Sequence, residues 1–301
     1  MFRFSKEQKI FDIAGVKVGG QPGELPTVMI GTIFYHKHKI VKDEKIGDFE
    51  KEKAEELLVK EAEMSEKTGN PRIVDVCCGW PQAFSKLIDF VAKTVDTPFS
   101  IDGSTAEVRI AGAKYVGEVG LSNRVVYNSI SPHTTEDEIK AIKEAKIKSA
   151  ILLTFNTNNP TLMGRLQVVD ELLTIAQRAG IENTLIDACV LDIPDPGSVS
   201  KAIYLIKEKY GLPAGAGMHN AVDIWRRRRR LDSTSYSLAS TVANVISIAA
   251  GANFLLYGPI ENAPIAYFTC ALADAYVAYS TRQEFRTKTL TNNHPLFRIF
   301  K

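Results

Sequence analysis

The chain has 301 residues, 45% hydrophobic and 24% charged, with 37 Lys and Arg set against 35 Asp and Glu. A formal charge of +2 excludes a global field for nucleic acid or membrane lipid, so no nucleic-acid partner is expected. Four cysteines, two adjacent as Cys77 and Cys78, are too few for a disulfide framework, and neither a signal core nor a bilayer-length apolar run is evident; a cytoplasmic protein is expected, able to sit on a membrane-embedded partner.

In chain order, residues 1–26 read as an N-terminal extension that ends in a Gly- and Pro-rich turn. The first strand covers 27–35, and a charged stretch, 36–51, follows as a lid or an insertion. A helix then runs to about Thr68, where Gly69-Asn70-Pro71 stops it. Residues 72–78 form the second strand. Pro81 opens a helix with apolar residues at Phe84, Leu87, Ile88 and Val91, the spacing of a one-sided helical face. The third strand begins at Phe99 and ends on Asp102-Gly103, with Ser104 and Thr105 able to cap a helix to about Val119. The fourth, 124–130, leads into Thr135 and a helix whose first turn holds Glu136, Asp137 and Glu138, as the helix dipole favours. The fifth, 149–155, precedes a helix over 164–179. The sixth, 183–190, precedes a helix over 198–210, and the seventh is short and Gly-rich, 213–219. Helices near 238–250 and 263–279 flank the eighth, 252–257.

Eight strand–helix units joined compactly imply one α/β domain over 1–301, a closed (β/α)8 TIM barrel. The strand ends support closure. Asp75, Asp102, Asn128, Asn156, Asp187 and Asn220 each stand at or just past one, and only a barrel gathers all its strand ends around one pocket. A ring of Asp and Asn suits a flat heterocycle with an amino and oxo edge, such as a pterin or purine, better than a phosphate. No His or Cys pairing has metal-ligand spacing, so no metal is expected.

Phe99-Ser-Ile-Asp-Gly, Tyr127-Asn-Ser-Ile-Ser, Leu185-Ile-Asp-Ala and Gly217-Met-His-Asn resemble the strand ends of pterin-binding barrels such as dihydropteroate synthase and the methyltetrahydrofolate:corrinoid methyltransferases. Over nearly its whole length, and most of all in Ile73-Val-Asp-Val-Cys-Cys-Gly-Trp-Pro and Ala214-Gly-Ala-Gly-Met-His-Asn-Ala, the chain resembles the H-subunit family of tetrahydromethanopterin S-methyltransferase from methanogenic archaea. The resemblance implies a homodimeric pterin-binding barrel in methanogenesis, a methyltransferase of one-carbon metabolism. It would move the methyl of methyl-tetrahydromethanopterin to the Co(I) corrinoid (cobalamin) of a partner subunit, peripheral to a membrane-associated complex. By the same resemblance Asp102, Asn128 and Asp187 bind the amino-oxo edge of the ring, Asp75 matches a second-strand acid in outline, and Asn220 lies near N5. Two positions depart from the wider pattern: dihydropteroate synthase has Lys where Asn220 stands, and Asp187 is followed by Ala188-Cys189 rather than Pro-Gly.

A corrinoid would supply its own nucleophile, so the protein needs none. Asn220 can donate a hydrogen bond to N5 but no proton, which leaves solvent as its source. Arg226, Arg227 and Arg228, in a run of five arginines after Trp225, read either as a solvated face or as a rim for acidic groups on the pterin tail or on a partner. Cys77, Cys78 and Cys189 read as packed thiols, and His219 as a core histidine or a ligand. Two alternatives stay open: a related barrel feeding a corrinoid protein from tetrahydrofolate or a methylated amine, and a non-catalytic structural subunit.

Overall fold

A computed structural model describes residues 1–191 and 195–300. Eight parallel strands, β1 (Val28–Ile33), β2 (Arg72–Cys78), β3 (Phe99–Gly103), β4 (Val125–Ile130), β5 (Ser149–Leu153), β6 (Asn183–Asp187), β7 (Ala214–Ala216) and β8 (Phe254–Pro259), close into a barrel in chain order, β8 pairing with β1. The expected α/β barrel is therefore the observed one.

Strand alternation sorts the side chains. Val74, Val76, Phe99, Ile101 and Tyr127 point outward into the core shared with the helices. Ile30, Ile73, Val126, Ile151, Leu185 and Phe254 point inward and fill the barrel. Each buried apolar side chain of this size contributes roughly 1.5–3 kcal/mol. β7 reaches only three residues, and its inward Gly215 is required: a Cβ there would lie 2.1 Å from the Phe254 carbonyl oxygen.

The N-terminal extension has a structure that the sequence reading lacked. Ile10–Ile13 and Val16–Gly19 form an antiparallel hairpin, and its Ile13, Val16 and Val18 join the inward cluster. The hairpin thus plugs the amino end of the barrel. It is tied down by the fully buried Lys207, whose Nζ donates to the Gly20 carbonyl at 3.0 Å and to Asn253, and lies over the Phe4 ring.

The helices follow their caps. α1 (Lys51–Thr68) ends at Gly69, whose φ of 84° is left-handed. α2 (Pro81–Thr94) and α3 (Ala106–Glu118) follow, and α4 (Glu136–Glu144) starts from a reciprocal capping box between Thr135 and Glu138. The helix expected over 164–179 is two, α5 (Leu162–Gln167) and α6 (Val169–Ala179), and α7 (Pro196–Tyr210) is capped by Asp195. α8 (His219–Arg229) and α9 (Ser233–Ala249) both lie between β7 and β8, and α10 (Ala263–Phe285) closes the ring. With no strand between α8 and α9, only α9 descends to the start of β8, so α8 stays on the carboxyl face. Residues 36–51 fold as a small hairpin, Val41–Asp43 with Asp48–Phe49, anchored by Phe49 against Phe34 and Phe90 at 4.6 and 4.9 Å between ring centres.

Candidate functional site

At the carboxyl end of the barrel, Thr32, Asp75, Ser100, Asp102, Asn128 and Asp187 lie above the apolar layer, each two residues beyond an inward position or in register with one that is. Asp75 is buried at the centre of a closed set of donors. Ser100 Oγ donates to its Oδ1 at 2.5 Å, Asn128 Nδ2 to the same oxygen at 3.1 Å, and Thr32 Oγ1 to Oδ2 at 2.9 Å. Burial raises the Asp75 carboxyl against the lowering effect of these three bonds.

Asp102 differs. It is half-buried, pairs in register with Cys77 and Asn128, and its carboxyl has no hydrogen-bond partner among the described residues. Burial first, and the neighbouring Asp75 second, raise it well above the carboxylate range. The turn behind it is rigid: Arg109 Nη1 donates to the Gly103 carbonyl at 2.9 Å, its Nε to Glu138 at 2.8 Å, and the Tyr127 hydroxyl to Glu138 at 2.8 Å.

Asp187 is buried, and burial pushes its pKa up to about 7, opposed by the Cys189 backbone N–H that its Oδ1 accepts at 2.7 Å. Here the departure Ala188-Cys189 has a structural reason. Cys189 takes φ of 54°, which ends the strand at Asp187 instead of Val190, and the buried Arg165 donates to the Cys189 carbonyl at 3.1 Å, fixing the turn.

Asn220 is the second residue of α8, exposed at the mouth, its backbone N–H bonded to the Gly217 carbonyl at 3.1 Å. His219 beside it is oriented by the Leu256 carbonyl, 3.2 Å from Nδ1, and packs on Gly258, where a Cβ would meet its ring at 2.5 Å and φ is +85°. Burial lowers the His219 pKa, and the ring sits against backbone. Asn156 does not join the set. Its Nδ2 donates to Gly164 at 3.1 Å and its Oδ1 accepts from the N–H groups of Asn158 and Asn159, so both polar ends are used in folding the loop after β5. Arg226, Arg227 and Arg228 are exposed on the last turn of α8, on the rim; Arg226 lies over Tyr236 at 4.7 Å and Arg227 pairs with Asp223 at 3.0 Å.

Sequence reasoning missed Ser100 and Thr32, the seat of Asp75, although Ser100 carries a signal: it lies two residues before Asp102 and so on the same face. It also missed the rim contact in which Glu261 accepts from Tyr35 at 3.0 Å and pairs with the buried His38 at 2.9 Å, joining the loop after β1 to β8. Among the described residues no three His, Cys, Asp or Glu side chains are grouped to hold a metal.

A polar seat of Asp and Asn inside a closed barrel is a fold-level pattern, and the comparisons narrow it. The family model described as "Tetrahydromethanopterin S-methyltransferase MtrH subunit" matches residues 6–288. The chain belongs to this family of methyltransferase subunits. As an MtrH family member it is 40% identical to the H subunit of tetrahydromethanopterin S-methyltransferase from Methanothermobacter thermautotrophicus over 311 residues, covering 99% of this chain and 100% of that one. It is equally, 40%, identical to the H subunit of the putative methyltransferase mtx from Methanosarcina barkeri, covering 92% and 94%. Among solved structures it is similar in fold to Yersinia pestis dihydropteroate synthase with a pterine-sulfa conjugate, at TM-score 0.64, 14% identity and coverage of 89% and 98%. Xanthomonas albilineans dihydropteroate synthase with 7,8-dihydropteroate gives 0.60, 17%, and coverage of 89% and 98%.

Proposed function

We propose that the chain takes the methyl group from N5 of methyl-tetrahydromethanopterin and delivers it to the Co(I) corrinoid of a partner subunit. The observation that carries this reading is Asp102: a half-buried acid with no protein partner among the described residues, in register with the buried Asn128, at the mouth of a barrel of this family. Its oxygens, open at the mouth, are free to accept from a ligand in place of solvent, and the amino group and ring N–H of a pterin are such donors. The pterin ligands named for two similarly folded dihydropteroate synthases fit a pterin-binding reading of this barrel.

In this reading Asp102, Asn128 and Asp187 hold the amino-oxo edge, and Asp75 holds Asn128. The partner's corrinoid supplies the nucleophile. When the methyl leaves, the C–N5 electron pair stays on N5, where the Asn220 amide donates a hydrogen bond; the proton N5 finally takes comes from solvent. Residues 1–301 act as one domain, 1–26 its plugging extension and 36–51 its covering insertion.

No helix among the described residues is long and apolar enough to cross a membrane, so attachment to a membrane complex would run through partner subunits. Arg226, Arg227 and Arg228, exposed at the rim, would hold acidic groups on the pterin tail or on a partner surface; of these, Arg226 and Arg228 carry no carboxylate partner among the described residues. α9 and α10 expose Leu238, Val242, Phe268, Tyr276 and Tyr279, an apolar face suited to a homodimer.

The equal identity to the mtx protein supports a second reading, in which a corrinoid protein is fed from another methyl donor, tetrahydrofolate or a methylated amine. Calorimetric titration with tetrahydromethanopterin and with tetrahydrofolate, repeated on Asp102→Ala and Asn128→Ala, decides among these. Saturable binding of the first, lost in both variants, is expected. Preference for tetrahydrofolate moves the chain to the second reading, and binding of neither by folded protein removes the pterin site and leaves a purely structural role.

A further inference from the structure

A cavity of about 310 Å³ opens at the β1–β2 lip of the barrel, between the 36–51 hairpin and the start of α2. Phe34, Val41, Leu87 and Trp80 make its apolar walls. Cys77 and Ser104 connect it to the ring seat, since Cys77 is the register partner of Asp102 and Ser104 follows two residues after it. The acid in the wall, Glu44, is already satisfied, by His36 Nδ1 at 3.0 Å and the Lys37 N–H at 2.8 Å. Lys45 Nζ lies 5.2 Å from the centre of the Trp80 ring, so one cation borders a slot whose walls are apolar apart from His36, Glu44 and Ser104.

The placement matches the geometry of the ring. A pterin held at its amino-oxo edge by β3, β4 and β6, with N5 toward Asn220 after β7, turns its opposite side, C6 with C7 and N8, toward β8, β1 and β2. Substituents on C6 then leave the seat in the direction of this cavity. We propose that the cavity binds the planar aryl segment attached through C6 in full-length tetrahydropterin coenzymes, with Trp80 as a specificity-determining residue. The inference rests on the pterin reading above.

Trp80 is 38% exposed and precedes the first turn of α2, so its truncation leaves the barrel core intact. The test compares affinities of the full-length protein for tetrahydromethanopterin and for the bare head group 6-methyltetrahydropterin, in the native chain, Trp80→Ala and Trp80→Phe. Trp80→Ala is expected to weaken the full-length ligand about tenfold while leaving the head group within about twofold, and Trp80→Phe to recover most of the loss. A native protein that binds both ligands equally, or a Trp80→Ala variant that loses both to the same degree, overturns the subsite and leaves the ring seat standing. Binding of neither ligand by the native protein instead refutes the ring seat itself.

Discussion

Asn220 is exposed where Asp75, Asn128 and Asp187 are buried, and on the proposed reading its work lies with the reacting atom instead of with ring affinity. A preorganised donor aimed at developing charge is worth about 2.7–4 kcal/mol of barrier, so Asn220→Ala is expected to slow single-turnover methyl transfer by about 100- to 1000-fold. Pterin affinity should stay within a few-fold. A normal transfer rate in this variant would remove the role. Asp75 makes the opposite prediction. Asp75→Ala strands the donors of Ser100, Thr32 and Asn128 in a dry interior, at a cost of about 3 kcal/mol read as a lower urea midpoint. Ring affinity falls with it because Asn128 loses its support, whereas Asp75→Asn keeps an acceptor and retains part of both. Unchanged midpoint and affinity in Asp75→Ala would refute the seat. Asp187, with its pKa pushed up to about 7 by burial, is neutral below that pH and a carboxylate above it. Ring N–H donors prefer the carboxylate, so affinity is expected to rise between pH 6 and 8 and to lose that slope in Asp187→Asn.

At the scale of the elements, the legible ones were those with a local signal. Gly69, Pro81, Thr135 and Gly180 mark helix ends by backbone chemistry of their own residues, and the structure follows them. The N-terminal hairpin had no such signal: its reason to form is the ring of inward side chains contributed by six other strands, a contact that sequence spacing does not carry. α8 was obscured for the converse reason, since the four arginines that end it suppress the apolar periodicity by which a helix is recognised. Lys207 links the hairpin to α7 and gives the element a measurable signature. Burial brings its pKa down to about 7 from about 10.5, so between those pH values the unfolded chain holds a proton that the folded one does not. Stability from this group is therefore complete above the unfolded value and is lost progressively as pH falls from there to about 7. Lys207→Met should flatten the dependence of the unfolding midpoint over pH 7–8.5; an unaltered slope would show that the lysine does not titrate there.

The whole molecule was readable as a barrel because its strand ends repeat one chemistry, and at the carboxyl end Asn128 is bonded to Asp75 with Asp102 in register beside it. Asn156 shows where the pattern misleads: the same residue type at the same place is consumed by its own loop. The outer face of α9 and α10 is a further large-scale feature, with Leu238 62% and Val242 65% exposed. The double change Leu238→Glu with Val242→Glu is expected to give a folded monomer in sedimentation, and a persisting dimer would place the interface elsewhere. The plug at the amino end reaches furthest in its effects. With Ile13, Val16 and Val18 capping side chains that already fill the barrel, only the carboxyl face is open, and on the proposed reading methyl donor and methyl acceptor would both use it. On the proposed reading the donor would lie deeper, so it would enter before the corrinoid-bearing partner docks, and the demethylated pterin would leave only after that partner lifts away: traffic through one door imposes an order of arrivals and departures, last in and first out.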